Sequence, residues 1–227
     1  MNLDPYTLYW SADSGAFSVQ AVLEELGVPY RREIVDTSRG DHRRPEYLAL
    51  NPMAQVPTLR LPDGTLITES AAMIVHLCDA HREPELLPTP GSSARATAYR
   101  WLYWLATGLY ESDLRYYYPD RYTAEPGCAE AVRAAALDRM DRLLALAEDQ
   151  FGVGPYVLGA RFSAIDVYLL MQATWHPARL EILARHRALG TMMRLVRRRP
   201  AVARIWRENY PLTEDGSWST WTGSNES

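Results

Sequence analysis

Up to residue 82 the apolar positions come in short runs that alternate between a strand-like and a helical period. The run YTLYW has the composition of a strand, and SADSG after it reads as a turn. FSVQAVLEELG then puts Val19, Val22, Leu23 and Leu26 on one helical face, with Gly27 as the stop. YRREIVD predicts a second strand, and RPEYLALN a short helix closed by Asn51-Pro52. VPTLRL and TLIT flank Pro62-Asp63-Gly64, a strong hairpin signal. ITESAAMIVHLCDAH predicts a third helix, with Ile74, Leu77, Cys78 and His81 on a shared face. The predicted order is βαβαββα, the first two strands parallel and the last two an antiparallel hairpin.

REPELLPTPGSS, rich in proline and small polar residues, reads as a linker, and everything after it has a helical period. ARATAYRWLYWLATGLYESDLRYYY predicts one long aromatic helix. The stretch from Ala129 to Phe151 repeats apolar residues at Val132, Ala136, Met140, Leu143, Leu144 and Ala147. FSAIDVYLLMQATW carries a capping box: Ser163 caps, Asp166 stands three residues on, and Phe162 and Val167 occupy the staple positions. TMMRLVRRR stops at Pro200, and AVARIWRENY makes a last helix. The remainder reads as a mobile tail, with Trp218 and Trp221 available to pack. The expected fold class is α/β plus all-α. A βαβαββα domain covers residues 1–82, a linker 83–92, an all-helical domain 93–212 and the tail 213–227, without internal repeats.

Composition narrows the function. At 227 residues, 47% hydrophobic and 23% charged, the chain is an ordinary globular one. A net charge of -4 gives no nucleic-acid footprint, and no apolar run approaches the ~20 residues of a membrane helix. The first ten residues lack the basic-then-apolar pattern of a signal peptide, and two distant cysteines, Cys78 and Cys128, fit a reducing cytoplasm. Every basic residue other than histidine is arginine. Phosphate-loop, Schiff-base and kinase lysines are therefore excluded. His76, Cys78 and His81 do not share one helical face, so no metal is expected there.

Three segments carry candidate chemistry. Pro57 follows Val56 at the mouth of a strand, where proline is unwelcome unless it opens an edge strand or its bond is cis. In the cis form the N–H and C=O of Val56 would turn outward together and could pair with an extended peptide. Glu69 precedes Ser70 where a helix begins. The unpaired N–H groups there receive a carboxylate, and Glu69 could take an ammonium. The bland alternative is capping by Thr68 or Ser70. The turn SADSG lies at a second polarised helix end, which would acidify a thiol held there. Ser14 is the first candidate donor to such a sulfur and Ser11 the second; capping by Ser14 or Asp13 is the alternative.

In this order and spacing, NPMAQVPTL, DGTLITESAAMIVHL and FSAIDVYLL resemble the cis-proline loop, the Glu-Ser motif and the buried capping box of cytosolic glutathione S-transferases, bacterial members included. The resemblance covers nearly the whole chain and implies a thioredoxin-like first domain and an all-helical second one. It implies that Val56, beside Pro57, reads the cysteinyl backbone of glutathione, that Glu69 and Ser70 hold the γ-glutamyl end, and that Gln55 reaches the cysteinyl or glycyl part. Glutathione is then the co-substrate, without a metal, and a homodimer is the implied assembly. The implied chemistry is thiol addition to, or displacement on, an apolar, aromatic electrophile held by Trp10, Trp104, Tyr110 and Tyr117, with Tyr116 and Tyr118 nearby. An isomerase or dehalogenase using the same site, or a binding protein without turnover, shares the pattern. The chain departs from the family at the catalytic position. No cysteine stands there, Tyr9 lies within the strand, and a charged Asp13 would oppose a thiolate. Ser14 or a main-chain N–H is therefore the expected activator.

Overall fold

The structure is a computed structural model and describes residues 4–125 and 127–210. The first seven elements are β1 (Tyr6–Trp10), α1 (Ala16–Leu26), β2 (Tyr30–Ile34), α2 (Pro45–Leu48), β3 (Thr58–Arg60), β4 (Leu66–Ile67) and α3 (Ser70–Ala80). They form one four-stranded sheet in the order β2-β1-β3-β4. β1 runs parallel to β2 and antiparallel to β3, and β3 and β4 make the expected hairpin. Alternation along β1 buries Tyr6, Leu8 and Trp10 and leaves Thr7 and Tyr9 half-buried on the other face. Tyr9 accepts a 3.0 Å hydrogen bond from Arg60 Nη2, which settles the direction of its ring. β2 is a solvent-exposed edge strand whose Arg31, Arg32 and Glu33 protect it from pairing with other chains. α1 ends as expected, with Gly27 in the left-handed conformation at φ 64°.

The second group of elements is helical: α4 (Ser93–Trp104), α5 (Glu111–Tyr117), α6 (Ala129–Asp149), α7 (Ala164–Trp175), α8 (Arg179–Arg185) and α9 (Arg187–Arg197). The long helix expected before residue 118 is interrupted, because Leu105–Tyr110 between α4 and α5 is π-helical. α7 is buried almost along its whole length. Its start is built on Asp166, whose Oδ1 accepts from Val157 N at 2.7 Å. The other oxygen accepts from Ser163 N and Oγ at 2.7 and 2.8 Å. Glu148 at the end of α6 does a similar service for α9, accepting from the N–H of Ala188 and Leu189 at 2.8 Å each.

The last helix, α10 (Pro200–Asn209), belongs by its contacts with the sheet unit, whereas residues 87–197 form the helical unit. The expected boundary at 212 differs from this grouping, and the reason is side-chain chemistry at both ends of α10. Trp206 and Tyr210 stand edge-on to Phe17 of α1 at 5.4 and 5.1 Å between ring centroids. Arg199 pairs with Glu25 through two hydrogen bonds of 2.7 Å. The expected tail, with Trp218 and Trp221, lies outside the described residues.

Candidate functional site

Strand direction brings the three candidate segments to one end of the sheet. Tyr9 near the end of β1 pairs with Thr58 at the start of β3, so the turn Ser11–Gly15 leaves the sheet where Val56-Pro57 enters it. The β3–β4 register, with Leu59 opposite Ile67, runs Glu69-Ser70 to that same end. The Val56-Pro57 bond is cis. Gln55, just before it, is held through its carbonyl, which accepts from Tyr47 Oη at 2.6 Å and from Asn51 Nδ2 at 2.7 Å. Both donors are buried, so this peptide is positioned from beneath. Burial also raises the Tyr47 pKa and keeps its hydroxyl a donor. Among the described residues the main-chain N–H and C=O of Val56 take no hydrogen-bond partner. The Gln55 side chain is exposed beside them.

At the start of α3, Glu69 is exposed and Ser70 buried. The Glu69 side chain makes no cap bond at this helix end. The N–H groups of Ala71 and Ala72 likewise have no acceptor among the described residues. Capping by Glu69 itself is thereby absent, and the positive end of α3 keeps donors for an anion.

In the third segment, Ser14 Oγ donates to the Ser11 carbonyl at 2.7 Å and accepts from Ala16 N at 3.2 Å. Its proton is engaged locally and must swing away to reach a ligand sulfur. Ser11 is buried, and its hydroxyl pairs with Thr37 Oγ1 at 3.2 Å. The main-chain N–H groups of Ser14 and Gly15 have no acceptor among the described residues. Asn209 of α10 is a residue that the sequence reading missed. It is fully buried and accepts from Trp10 Nε1 at 3.1 Å. It donates to Gln20 Oε1 at 2.9 Å and takes the Asp13 N–H on its carbonyl at 3.0 Å, which pins the turn.

Among the described residues, Asp13, Ala54 and Glu69 are the non-glycine residues with positive φ, at 49°, 54° and 65°. One lies in or beside each of the three segments. Such conformations cost on the order of 1–3 kcal/mol each and gather at ligand sites.

The expected electrophile residues are divided between the two units. Trp10 is buried in the sheet unit, with Arg32 4.7 Å over its ring. In the helical unit, Trp104 stands edge-on to Trp101 at 5.5 Å. Tyr110 and Tyr117 come together around Trp175: Tyr110 meets its ring at 5.3 Å, and the Tyr117 hydroxyl donates to its carbonyl. Among the described residues, no cluster of His, Cys, Asp and Glu is placed to hold a metal ion. No described helix is long and apolar enough to cross a membrane.

The chain is similar to known proteins over most of its length. The family model "Glutathione S-transferase, N-terminal domain" matches residues 16–80. The uncharacterized GST-like protein YncG of Escherichia coli K12 is 31% identical over 166 residues, 72% of this chain and 78% of that protein. Glutathione S-transferase GstA of Escherichia coli O157:H7 is 27% identical over 173 residues, 74% of this chain and 81% of that one. A glutathione transferase homologue from Sulfitobacter, solved with bound glutathione, has a TM-score of 0.84 at 28% identity, over 90% of this chain and 98% of its own. The four-stranded sheet with its helices and the helical remainder are consistent with the glutathione transferase fold, and the chain belongs to the glutathione S-transferase family.

Proposed function

We propose that the protein is a glutathione transferase that binds glutathione at the common end of β1, β3 and α3. One observation carries the reading: the three strained non-glycine residues adjoin the three segments that a glutathione site would use. The Val56 main chain would pair with the cysteinyl part. The first turn of α3 at Ser70 would take the γ-glutamyl carboxylate, and Glu69 its ammonium. The exposed Gln55 would reach the cysteinyl or glycyl portion. Held in this pose, the thiol loses its proton to solvent, and the thiolate forms a carbon–sulfur bond to an apolar, aromatic electrophile, either displacing a leaving group that departs with its bonding pair or adding to an activated double bond whose electron pair then takes a proton from solvent.

Thiolate stabilisation falls to the turn before α1. Ser14 is the side-chain candidate, supported by the unengaged N–H groups of Ser14 and Gly15. Ser14→Ala is expected to lower kcat/KM for glutathione conjugation to a standard aromatic electrophile roughly 10- to 100-fold, as loss of one donor to a developing anion does. It is also expected to move the pH–rate profile to higher pH. Unchanged kinetics would remove Ser14 from the chemistry and leave the main-chain donors. Ser11, occupied with Thr37, is the weaker candidate.

The proposal includes a homodimer in the cytoplasm, as is usual in the family. Exposed Met53 of the sheet unit and Tyr103 of the helical unit are apolar side chains that a second copy would cover. Sedimentation at the single-chain mass of 25.8 kDa would rule the dimer out.

A further inference from the structure

The hydrogen bonds of Asn209 run further than the turn that it pins. Its side-chain oxygen takes the indole N–H of Trp10 at 3.1 Å. Its side-chain nitrogen donates to Gln20 Oε1 at 2.9 Å and to the Ile205 carbonyl at 3.0 Å. Gln20, buried as well, donates through Nε2 to Tyr30 Oη at 3.1 Å, and Tyr30 donates to Glu24 at 2.7 Å. Arg204 closes the chain from outside, donating to Glu24 at 2.6 and 3.1 Å. Chemistry fixes the direction of every bond in it. An indole N–H only donates and a carboxylate only accepts, so each amide between them has one orientation that satisfies all its neighbours. Burial, and then the bond to Glu24, raise the Tyr30 pKa, so its hydroxyl keeps the proton that it donates.

Charged pairs set the place of α10 on α1 and β2. Arg199 holds Glu25, Arg204 holds Glu24, and Glu208 pairs with Arg32, whose guanidinium covers the Trp10 ring. Pairs near the surface contribute little stability singly. Together with the buried amides they give α10 one register on α1. That register puts the Asn209 carbonyl, left unpaired by the end of the helix, against the Asp13 N–H at 3.0 Å. Asp13 is one of the three strained residues, at φ 49°. Such a backbone persists only where its surroundings over-determine it. The Asp13–Ser14 peptide is planar, so the dihedral angles of Asp13 aim the N–H of Ser14.

We infer that Asn209 is a positioning residue for the bound thiolate: its carbonyl fixes Asp13, Trp10 and Gln20 fix Asn209, and the donors at Ser14 and Gly15 are thereby aimed at the sulfur. Its action passes through Asp13, and a residue remote in sequence from the turn completes the site. The role rests on the transferase reading, because it needs a thiol held at the turn.

Ultraviolet titration of the glutathione complex of the full chain follows thiolate formation against pH, and calorimetry gives the affinity. Glutathione bound to the wild type is expected to ionise at lower pH than free glutathione. Asn209→Ala is expected to raise the pH of half-ionisation by about one unit, a roughly tenfold loss of thiolate at lower pH. Affinity measured at about pH 5, where the thiol stays protonated, is expected to change less than about twofold, because Val56, Glu69 and Ser70 lie in the other two segments. Gln20→Met, close to isosteric and remote from the turn, is expected to move half-ionisation the same way by a smaller amount, and it decides if Asn209→Ala fails to fold. Unchanged half-ionisation in either folded variant would overturn the inference. A loss of affinity at about pH 5 as large as the change in ionisation would mark general loosening and count against it. So would a thiol in the wild-type complex that ionises like free glutathione. No glutathione binding by the wild type would instead overturn the transferase reading, and this role with it.

Discussion

Replacing Asp166 with alanine is expected to destabilise the protein by about 3–5 kcal/mol, the largest stability effect of any single change considered. Asp166 is fully buried and accepts three hydrogen bonds, two from main-chain N–H groups and one from the Ser163 hydroxyl. Alanine would leave the Val157 and Ser163 donors without an acceptor at the start of the most deeply buried helix. Each such group costs on the order of 1–3 kcal/mol. The pH dependence has a definite sign. Burial raises the Asp166 pKa to about 6, although its donors pull the other way. A folded value above the ordinary 3.8 means that the ionisation contributes stability fully below that pH and loses it as pH rises through about 6. The stability gap between wild type and Asp166→Ala should therefore widen from pH 7 to pH 4. Urea unfolding at the two pH values measures it, and a narrowing gap would count against this assignment.

The second large effect is on ligand affinity. Glu69→Ala is expected to weaken glutathione at least tenfold, about 1.4 kcal/mol, because an ammonium would lose its charged partner. Folding should hardly change. Glu69 is exposed, makes no cap bond, and alanine at φ 65° is no more strained than glutamate. A capping role would instead reduce stability and affinity together.

The sequence was informative wherever one residue type implies one local geometry. Gly27 ends α1, Pro62-Asp63-Gly64 turns the hairpin, and Ser163 with Asp166 starts α7, each as its chemistry requires. At Val56-Pro57 the residues alone left a cis bond and a trans edge-strand proline open, and the resemblance pointed to the cis bond that is found. Periodicity was silent where the answer depends on a distant partner. The apolar stripe of α10 announces a buried face without saying which unit it joins, so Asn209 was missed as the anchor of the turn before α1. The π-helical stretch shifts the helical register by a backbone change that apolar spacing does not record. Nothing in the apolar spacing marks Asp113 and Gln172 as buried. Only packing shows them to be buried.

Glutathione recognition is the centre of this account, and isothermal titration of the wild-type and Glu69→Ala proteins with glutathione tests it most directly. Saturable binding to the wild type is predicted, with at least tenfold weaker binding to a variant that unfolds at the same temperature. No binding to the wild type at millimolar glutathione, or equal affinity in the two proteins, would contradict it.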